Sequence, residues 1–415
     1  MSLYDIVKNY TNSNAIRFHM PSHNGVDIGV DTSYDITELS FSDNLLKPTS
    51  VLLELERTVA KAYNANYSIL STTGATTVIA MALYTAREYG DSLLIVGDAH
   101  KSVYNYAKIF GYKITTISCI ENITRDTKYN VVLYTSPNYY GNLTKIEKIK
   151  GAITIVDQSH GSHFIMSDRL PKNDIDVDIL VLSFHKTLAV LTGGAAGIVN
   201  DKELYEKMLN ARQTLHSTSP SYMVLSSIDK VFNSLDNTKG KYDIVVDYIE
   251  NFSDRVPCPF FVSYSDDKTR LVISSNNLDM LYIKQLLENE NIYVEMATCS
   301  LIVLIVTPYN YIYLEDLLSC LEKLSKRELK TRKVQAIPRV EKKISVDINQ
   351  KCELISIENA KNRVCMSNVG VYPPGVPILT FGDIIEYEMI DYLKNCSEEI
   401  FGLVNGKICV LKEKI

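Results

Sequence analysis

Between residues 50 and 200 the chain alternates helical hydrophobic periodicity with short apolar runs. Apolar residues from Leu52 to Ala62 recur at spacings of three and four and predict an amphipathic helix, and a nearly all-apolar helix is predicted over 78–86. Apolar runs that predict strands follow at 93–96, 114–117, 131–134, 153–156, 179–182 and 195–199. This alternation predicts an α/β fold with a mostly parallel sheet that is covered on both faces. Ligands bind beyond the carboxyl ends of such strands, so polar clusters after these runs are candidate site residues.

The rest of the pattern predicts a second domain and two flanking segments. Pro21, Gly25 and Gly29 interrupt an N-terminal stretch that we interpret as an extended arm with short elements, and a polar hinge is predicted at 236–240. Beyond it, strands are predicted at 270–274, 292–296 and 301–307, with helices at 278–288 and 314–324. The predicted parts are an arm at 1–45, a large domain at 46–240, a small α/β domain at 241–327 and a C-terminal segment packing with it at 328–415.

Composition narrows the classes of protein. The 415 residues are 46% hydrophobic with a net charge of −6, and no long basic run indicates nucleic acid as the main partner. No segment offers the roughly 18 apolar residues of a membrane span, and the N-terminus does not resemble a signal peptide, so we expect a cytoplasmic protein. Eight cysteines without a CxxC pair indicate neither a metal site nor a disulfide framework.

Lys186 directly follows the apolar strand predicted at 179–182, beside Ser183 and His185. An ε-amine at the mouth of a buried sheet is partly desolvated, which lowers its pKa and favours a Schiff base with an aldehyde. The alternative is an ordinary lysine that extends to solvent. The neighbouring clusters decide between the two.

Three further clusters follow predicted strands or precede helices. The segment STTGATT at 71–77 stands before the apolar helix, where backbone N–H groups and hydroxyls suit a phosphate, although it could simply cap the helix. Asp157 could keep a heteroaromatic nitrogen protonated or cap a turn, and His160 could touch a substrate. His100 could stack on a flat cofactor or serve as a structural hydrogen bonder. Together with Lys186, these groups meet the requirements of pyridoxal phosphate.

The chain resembles the fold-type-I pyridoxal-phosphate family of ornithine/lysine/arginine decarboxylases, in a short form, over nearly its whole length. The matching segments, in order, are FHMPSHNG (18–25), DITEL (35–39), STTGATT (71–77), HKSV (100–103), TSPNYYG (135–141), DQSHGSH (157–163), SFHKTL (183–188), STSPSYMVLSSID (217–229) and YPPGVP (372–377). Several matches in order are more specific than any single one.

The resemblance implies a role for each matched residue. Lys186 would hold the cofactor covalently, Asp157 would pair with the pyridinium nitrogen, His100 would stack on the ring and His160 would face the substrate. Four residues would line the phosphate or the lysine: Ala75, Thr76, Ser183 and His185. The resemblance also implies a homodimer or a larger assembly of dimers, with 217–219 reaching across the interface, and a place in polyamine metabolism.

Departures from the family pattern concern substrate choice more than cofactor binding. Gln158 and Ser159 replace the usual glutamate and alanine, Phe184 stands where a small residue is common, Ala75 replaces a threonine, and PSH replaces PGH around His23. Lys186 and Asp157 are unchanged.

The expected reaction is decarboxylation of arginine, lysine or ornithine to its amine and CO2. Lys186 or His160 would return the proton to Cα. Glu38, Asp43 and Glu295 are candidate partners for the basic side chain, although each could be a structural carboxylate. One alternative is another reaction at Cα, such as transamination or side-chain cleavage, since the same groups serve these reactions. The other is a catalytically idle partner subunit, which the departures around Asp157 allow.

Overall fold

The computed structural model describes residues 2–13, 17, 20–22, 29–117, 119–123, 128–172, 176–331, 338, 340, 344, 346–347, 350–372, 377–395 and 399–412. Its helices are α1 Leu3–Thr11, α2 Val51–Ala62, α3 Ala75–Ala86, α4 Lys101–Ile109, α5 Phe184–Thr187, α6 Lys202–Leu215, α7 Tyr222–Phe232, α8 Lys239–Ser253, α9 Met280–Asn289, α10 Leu314–Ser325 and α11 Tyr387–Asn395. His23, Gly25 and most of the segments quoted at 18–25 and 372–377 lie outside the described residues.

The strands follow the predicted apolar runs over 93–199 and add others before and after them. They are β1 Tyr67–Ser71, β2 Ser92–Val96, β3 Lys113–Ile117, β4 Val131–Thr135, β5 Ile153–Asp157, β6 Ile179–Ser183, β7 Ala195–Val199, β8 Phe260–Ser263, β9 Arg270–Ser275, β10 Met296–Ala297, β11 Leu301–Ile305, β12 Val346–Asp347, β13 Cys352–Ser356, β14 Val369–Tyr372, β15 Pro377–Leu379, β16 Glu399–Phe401 and β17 Lys407–Leu411. The chain forms two compact units, residues 1–89 with 148–242 and residues 90–147 with 243–415. The four predicted domain ranges remain a prediction.

In the first unit, strands lie in the order β1, β7, β6, β5. β5 and β6 are parallel, whereas β7 runs antiparallel to both of its neighbours. Ala195 at the start of β7 pairs with Ser183 at the end of β6 and with Ser71 at the end of β1. The carboxyl ends of β1, β5 and β6 therefore meet at one sheet edge, as ligand sites in α/β folds require.

The helix α3 packs on this sheet, which explains its nearly all-apolar sequence. It contacts β6, β7 and α6 and is buried along most of its length. At Gly197 in β7, an added Cβ would lie 3.1 Å from Met208 and 3.2 Å from Val78, so glycine allows α3 and α6 to approach the strand.

A buried ion pair joins α2, β1 and α6. Arg212 is fully buried and donates to Glu56 Oε1 at 2.5 Å, and the Leu70 backbone N–H donates to the same oxygen at 3.0 Å. Burial raises the pKa of Glu56 above its usual value despite the attraction of Arg212. The pair thus fixes the end of β1 against α2 and α6. Burying the two charges costs desolvation free energy, which is offset only while Arg212 and Glu56 are both present.

In the second unit, β2 pairs in parallel with β3 and β4, and β12 adds antiparallel to β3. A separate antiparallel sheet, in the order β10, β11, β9, β8, packs its apolar residues against α8, α9 and α10. Residues 357–410 build another hydrophobic cluster around α11 and the short C-terminal strands. No helix among the described residues is long and apolar enough to cross a membrane.

One predicted strand needs correction, and the structure adds detail to two other predictions. The strand predicted at 292–296 is wrong over most of its length, because Asn291, at φ 60°, ends α9 and the Ile292 N–H donates back to Leu287. The segment 236–240, predicted as a hinge, is a 3₁₀ turn that leads into α8, and the first unit ends just after it, at Tyr242. The N-terminal arm contains a short element, as predicted: Ser2 caps α1, and the Tyr4 N–H donates to Asp229.

Breaking the buried pair should destabilise the fold strongly. We expect Arg212→Met to lower the free energy of unfolding by about 3–5 kcal/mol, because Glu56 would stay buried without its partner. Arg57→Met, which removes an exposed pair with Glu54, should cost less than about 1 kcal/mol. Urea titration measures both, and equal losses in the two variants would contradict a structural role for the buried pair.

Candidate active site

Lys186 lies in α5, the single helical turn after β6. The backbone N–H groups of Phe184 and His185 both donate to the Gly194 carbonyl, at 2.9 and 3.4 Å, and fix this turn beside the start of β7. The Lys186 side chain is half-buried, and its Nζ lies 3.0 Å from His160 Nε2. The amine and the imidazole can therefore share a proton, and Lys186 is held at a base rather than extending to solvent.

Asp157 is the last residue of β5 and is only 4% exposed. Its Oδ1 accepts hydrogen bonds from the Ser159 N–H at 3.1 Å and from the Ser159 hydroxyl at 2.5 Å. The Gln158 side-chain amide donates to the Gly161 carbonyl at 3.1 Å and closes the same turn. The two departures from the family pattern in this segment, Gln158 and Ser159, thus support the turn that carries Asp157 and His160.

Ser183 and His185 lie on either side of Phe184 at the end of β6. The Ser183 N–H donates to Ser162 Oγ at 3.0 Å, and its hydroxyl lies 3.4 Å from His185 Nδ1. Burial lowers the pKa of His185, and the Lys186 ammonium lowers it further, although a hydrogen bond to the Gly194 carbonyl opposes both. His185 is thus held neutral beside the lysine.

Phe184 faces the core, not the site. It is fully buried, stacks near Tyr63 and meets Phe232 edge-on at a ring distance of 4.9 Å. The Tyr63 hydroxyl in turn donates to the Ser162 carbonyl at 2.6 Å. The large residue at position 184 therefore anchors α5 from behind.

The loop at 71–77 joins β1 to α3. Gly74, at φ 82°, adopts a left-handed conformation that favours glycine, and no side chain of the described residues caps the helix that begins at Ala75. A Cβ on Gly74 would meet none of the described residues within 4 Å. Thr76 is exposed in the first turn, and the Thr73 and Thr77 hydroxyls are 2.8 Å apart. Open space, hydroxyls and the positive end of α3 meet here, which suits an anion.

His100 belongs to the second unit, and its structural role is clear. It precedes α4, and its Nδ1 accepts a hydrogen bond from the Ser102 N–H at 3.2 Å. One ring nitrogen of His100 therefore has a structural hydrogen bond. Stacking of the His100 ring on a cofactor remains a prediction, because the hydrogen bond at Nδ1 does not test what the face of the ring contacts.

The three candidate carboxylates differ in their surroundings. Asp43 accepts backbone hydrogen bonds from Thr49, Ser50 and Leu52 at the start of α2. Burial alone would raise its pKa, but these bonds outweigh burial and lower it, so Asp43 is used as a helix cap.

Glu295 and Glu38 have fewer backbone contacts. Glu295 accepts a hydrogen bond from the Tyr139 hydroxyl. Glu38 accepts one from the Thr37 hydroxyl at Oε2, whereas its buried Oε1 has no hydrogen-bond partner among the described residues. Glu38 is thus the carboxylate with an unused buried acceptor.

Gly193 and His216 hold the loop at 71–77 in place, and neither was among the residues predicted from the sequence. The carbonyl of Gly193, at φ 101°, accepts a hydrogen bond from the Gly74 N–H, and a Cβ added at position 193 would lie 2.5 Å from the Thr72 carbonyl oxygen. His216 accepts a hydrogen bond from the Thr72 N–H. Paired glycines before an apolar run and a histidine before STSPSYM were the available signals. The described residues contain no cluster of three or more His, Cys, Asp or Glu side chains suited to a metal.

Models of two known families match the chain. Residues 44–234 match the class-V aminotransferase model, and residues 326–401 match the model of the Orn/Lys/Arg decarboxylase C-terminal domain. The chain is 24% identical to the uncharacterized protein YaaO of Bacillus subtilis, across 94% of this chain and 93% of that protein. It is 25% identical to the arginine decarboxylase of Bacillus anthracis, across 94% and 92% of the two chains.

The fold is that of solved decarboxylases. The lysine decarboxylase LdcF of Francisella novicida superposes with a TM-score of 0.80 at 15% identity, across 98% of this chain and 80% of that one. The constitutive lysine decarboxylase of E. coli gives a TM-score of 0.77 at 16% identity, across 99% and 82%. The predicted α/β fold of type I, with a mostly parallel large sheet and a smaller α/β part, is confirmed. The two matched models and these near full-length similarities support the resemblance of the chain to the ornithine/lysine/arginine decarboxylase family.

Proposed function

We propose that this protein is a pyridoxal-phosphate-dependent decarboxylase that converts arginine, lysine or ornithine to its amine and CO2. The observation that carries the proposal is the contact between Lys186 Nζ and His160 Nε2, 3.0 Å, beside the buried carboxylate at the end of β5. Relatives named arginine decarboxylase and the lysine decarboxylase folds support the substrate class. A homodimer or larger assembly of dimers in the cytoplasm, and a place in polyamine metabolism, belong to the same proposal.

The residues present fit the cofactor. The open space above Gly74 and the uncapped start of α3 suit its phosphate, and Ala75 and Thr76 would supply N–H groups. Ser183 and His185 would border the lysine and the phosphate, and His100 would lie on the ring. When bound, pyridoxal phosphate supplies an electron sink for the bond broken at Cα.

Side chains of this protein would supply the attaching amine, hold the ring nitrogen protonated and transfer protons. Lys186 contributes the amine that reacts with the cofactor aldehyde, and neutral His185 beside it leaves that amine without an added cationic neighbour. Ser159 orients Asp157 so that its carboxylate can keep the ring nitrogen protonated. His160 exchanges a proton with Lys186 Nζ, and either group can deliver one to Cα.

Glu38 is the carboxylate that we assign to the substrate's basic side chain. Its Oε1 is buried without a hydrogen bond from the described residues, and such an oxygen is costly unless a donor satisfies it. A guanidinium or ammonium group would satisfy it. Asp43 is already used by backbone N–H groups, and Glu295 by Tyr139.

Replacing Lys186 tests cofactor attachment. The purified protein loaded with pyridoxal phosphate should be yellow, and Lys186→Ala should lose the visible absorption band because its attaching amine is gone. Lys202→Ala, which removes a lysine 76% exposed on α6, should keep the band. A native protein that takes up no cofactor would refute the proposal.

A substrate panel tests the reaction. Incubation with arginine, lysine and ornithine should release CO2 and the matching amine in equal amounts from at least one of them. Keto-acid formation without CO2 would instead favour transamination. Loaded protein without turnover of any amino acid would favour an idle subunit.

A conservative change at Glu38 tests side-chain recognition. We expect Glu38→Gln to raise KM for the preferred amino acid about tenfold or more with a smaller change in kcat, because a charged partner of the substrate is lost. Glu54→Gln, an exposed carboxylate on α2, should leave KM unchanged. An unaltered KM in the Glu38 variant would remove Glu38 from the substrate site.

A further inference from the structure

A buried histidine outside the predicted site holds the backbone of the loop between β1 and α3. His216 ends α6 and is 6% exposed. Its Nε2 accepts a hydrogen bond from the Thr72 N–H at 3.1 Å. Thr72 lies just before the residues that would meet the phosphate, so its position sets theirs.

The two hydrogen bonds of the imidazole define its protonation state. Since the Thr72 N–H must donate, Nε2 carries no proton, and Nδ1 donates to the Ser217 carbonyl at 2.8 Å. This is the neutral tautomer. A second proton on the ring would occupy Nε2 and break the bond to the loop.

Thr72 is also held by two other segments. The Ser221 N–H donates to its hydroxyl at 3.3 Å, and Gly193 approaches its carbonyl too closely for any side chain at position 193. The Gly74 N–H donates to the Gly193 carbonyl at 2.8 Å. The loop is therefore fixed from the start of β7, from α6 and from the start of α7, with His216 as the titratable contact.

The surroundings favour the neutral imidazole. Burial lowers the pKa of His216, the Ser217 carbonyl opposes this, and the guanidinium of Arg212, one turn earlier on α6, lowers the pKa further. Arg212 pairs with Glu56 on α2. The negative charge of Glu56 reduces the effect of Arg212 on His216 but does not cancel it. The Tyr222 hydroxyl, on α7, is engaged with the Asp43 carbonyl and carries no charge near neutral pH, because burial raises its pKa.

We propose that His216 is a positioning residue for the phosphate-binding loop, and that it acts only as a neutral hydrogen-bond acceptor. The inference rests on the proposed function, in that the loop at 71–77 is assigned to the cofactor phosphate. Protonation of His216 releases the Thr72 N–H and weakens the hold of the loop on the phosphate. Affinity for pyridoxal phosphate therefore falls as the pH drops and His216 gains a proton.

Two substitutions distinguish the effect of the hydrogen-bond acceptor at position 216 from the effect of side-chain volume. His216→Gln offers an amide oxygen near the position of Nε2 and does not titrate, whereas His216→Leu fills the space without an acceptor. At pH 7.5 we expect His216→Leu to raise the Kd for pyridoxal phosphate about tenfold or more, and His216→Gln to stay within about threefold of the native protein. Absorbance titration of the apoprotein measures each Kd. Thr214→Ala, at an exposed hydroxyl that donates to the Asn210 carbonyl within α6, is the matched control and should not change it.

The pH profile gives the decisive comparison. As pH falls from 8 to 5, the Kd of the native protein should rise more steeply than that of His216→Gln, because only the native residue gains a proton. Every other titratable group is the same in the two proteins and cancels in the ratio. A ratio that stays flat over this range would overturn the proposal, and it does so even if His216→Leu fails to fold. Equal weakening by the two substitutions at pH 7.5 would also overturn it.

Amide hydrogen exchange in the apoprotein tests the contact between His216 and Thr72 without the cofactor. In the apoprotein, peptides covering residues 70–77 should exchange faster in His216→Leu than in the native protein or in His216→Gln, since the Thr72 N–H has lost its acceptor. Unchanged exchange in His216→Leu would overturn the proposal. If the native protein shows protection that depends on His216 but takes up no pyridoxal phosphate, the proposed function fails while the contact stands.

Discussion

The pairing of Ser71, Ala195 and Ser183 across three neighbouring strands determines where the chemistry of the first unit can lie. Side chains alternate between the faces of a strand, so a shift of one residue in either pairing would turn the whole strand over and bury the wrong side chains. The fixed register puts three chain segments at one sheet edge. The loop at 71–77 leaves from Ser71, the glycine pair enters at Ala195, and Lys186 follows three residues after Ser183. The antiparallel strand β7 makes this possible, because its N-terminus meets the carboxyl ends on both sides.

That edge is held by buried polar groups as well as by apolar packing. Glu56 accepts the N–H of Leu70, one residue before the end of β1, while Arg212 on α6 balances the charge of Glu56. His216, four residues after Arg212, accepts the N–H of Thr72. Because unpaired polar groups are costly in the interior, these contacts favour one position of the strand end over near alternatives. The half-buried amine of Lys186 thus lies next to a framework with little freedom to move.

Much of this arrangement could be predicted from the sequence. The apolar runs predicted most residues of β2 to β7. Buried strands consist almost wholly of Val, Ile and Leu, as in β6, and are therefore easy to recognise in the sequence. Proximity of Lys186 and His160 followed from both residues coming directly after such strands. The strand β1 was missed because its apolar core is only Ile69 and Leu70. The predicted strand at 292–296 was wrong because the helix-ending contacts of Asn291 depend on backbone conformation, which hydrophobic pattern does not record.

Individual backbone hydrogen bonds between distant segments could not be predicted. The bond between Thr72 and His216 spans 144 residues, and nothing in local composition pairs a threonine N–H with a particular histidine. The residues that depart from the family pattern illustrate the same limit. From sequence, Gln158, Ser159 and Phe184 were departures from the family pattern that were expected to bear on substrate choice. In the fold, Gln158 closes a turn, Ser159 bonds to Asp157 and Phe184 packs behind α5. Each of the three replacements therefore has a structural contact of its own, and none of them by itself indicates an idle site.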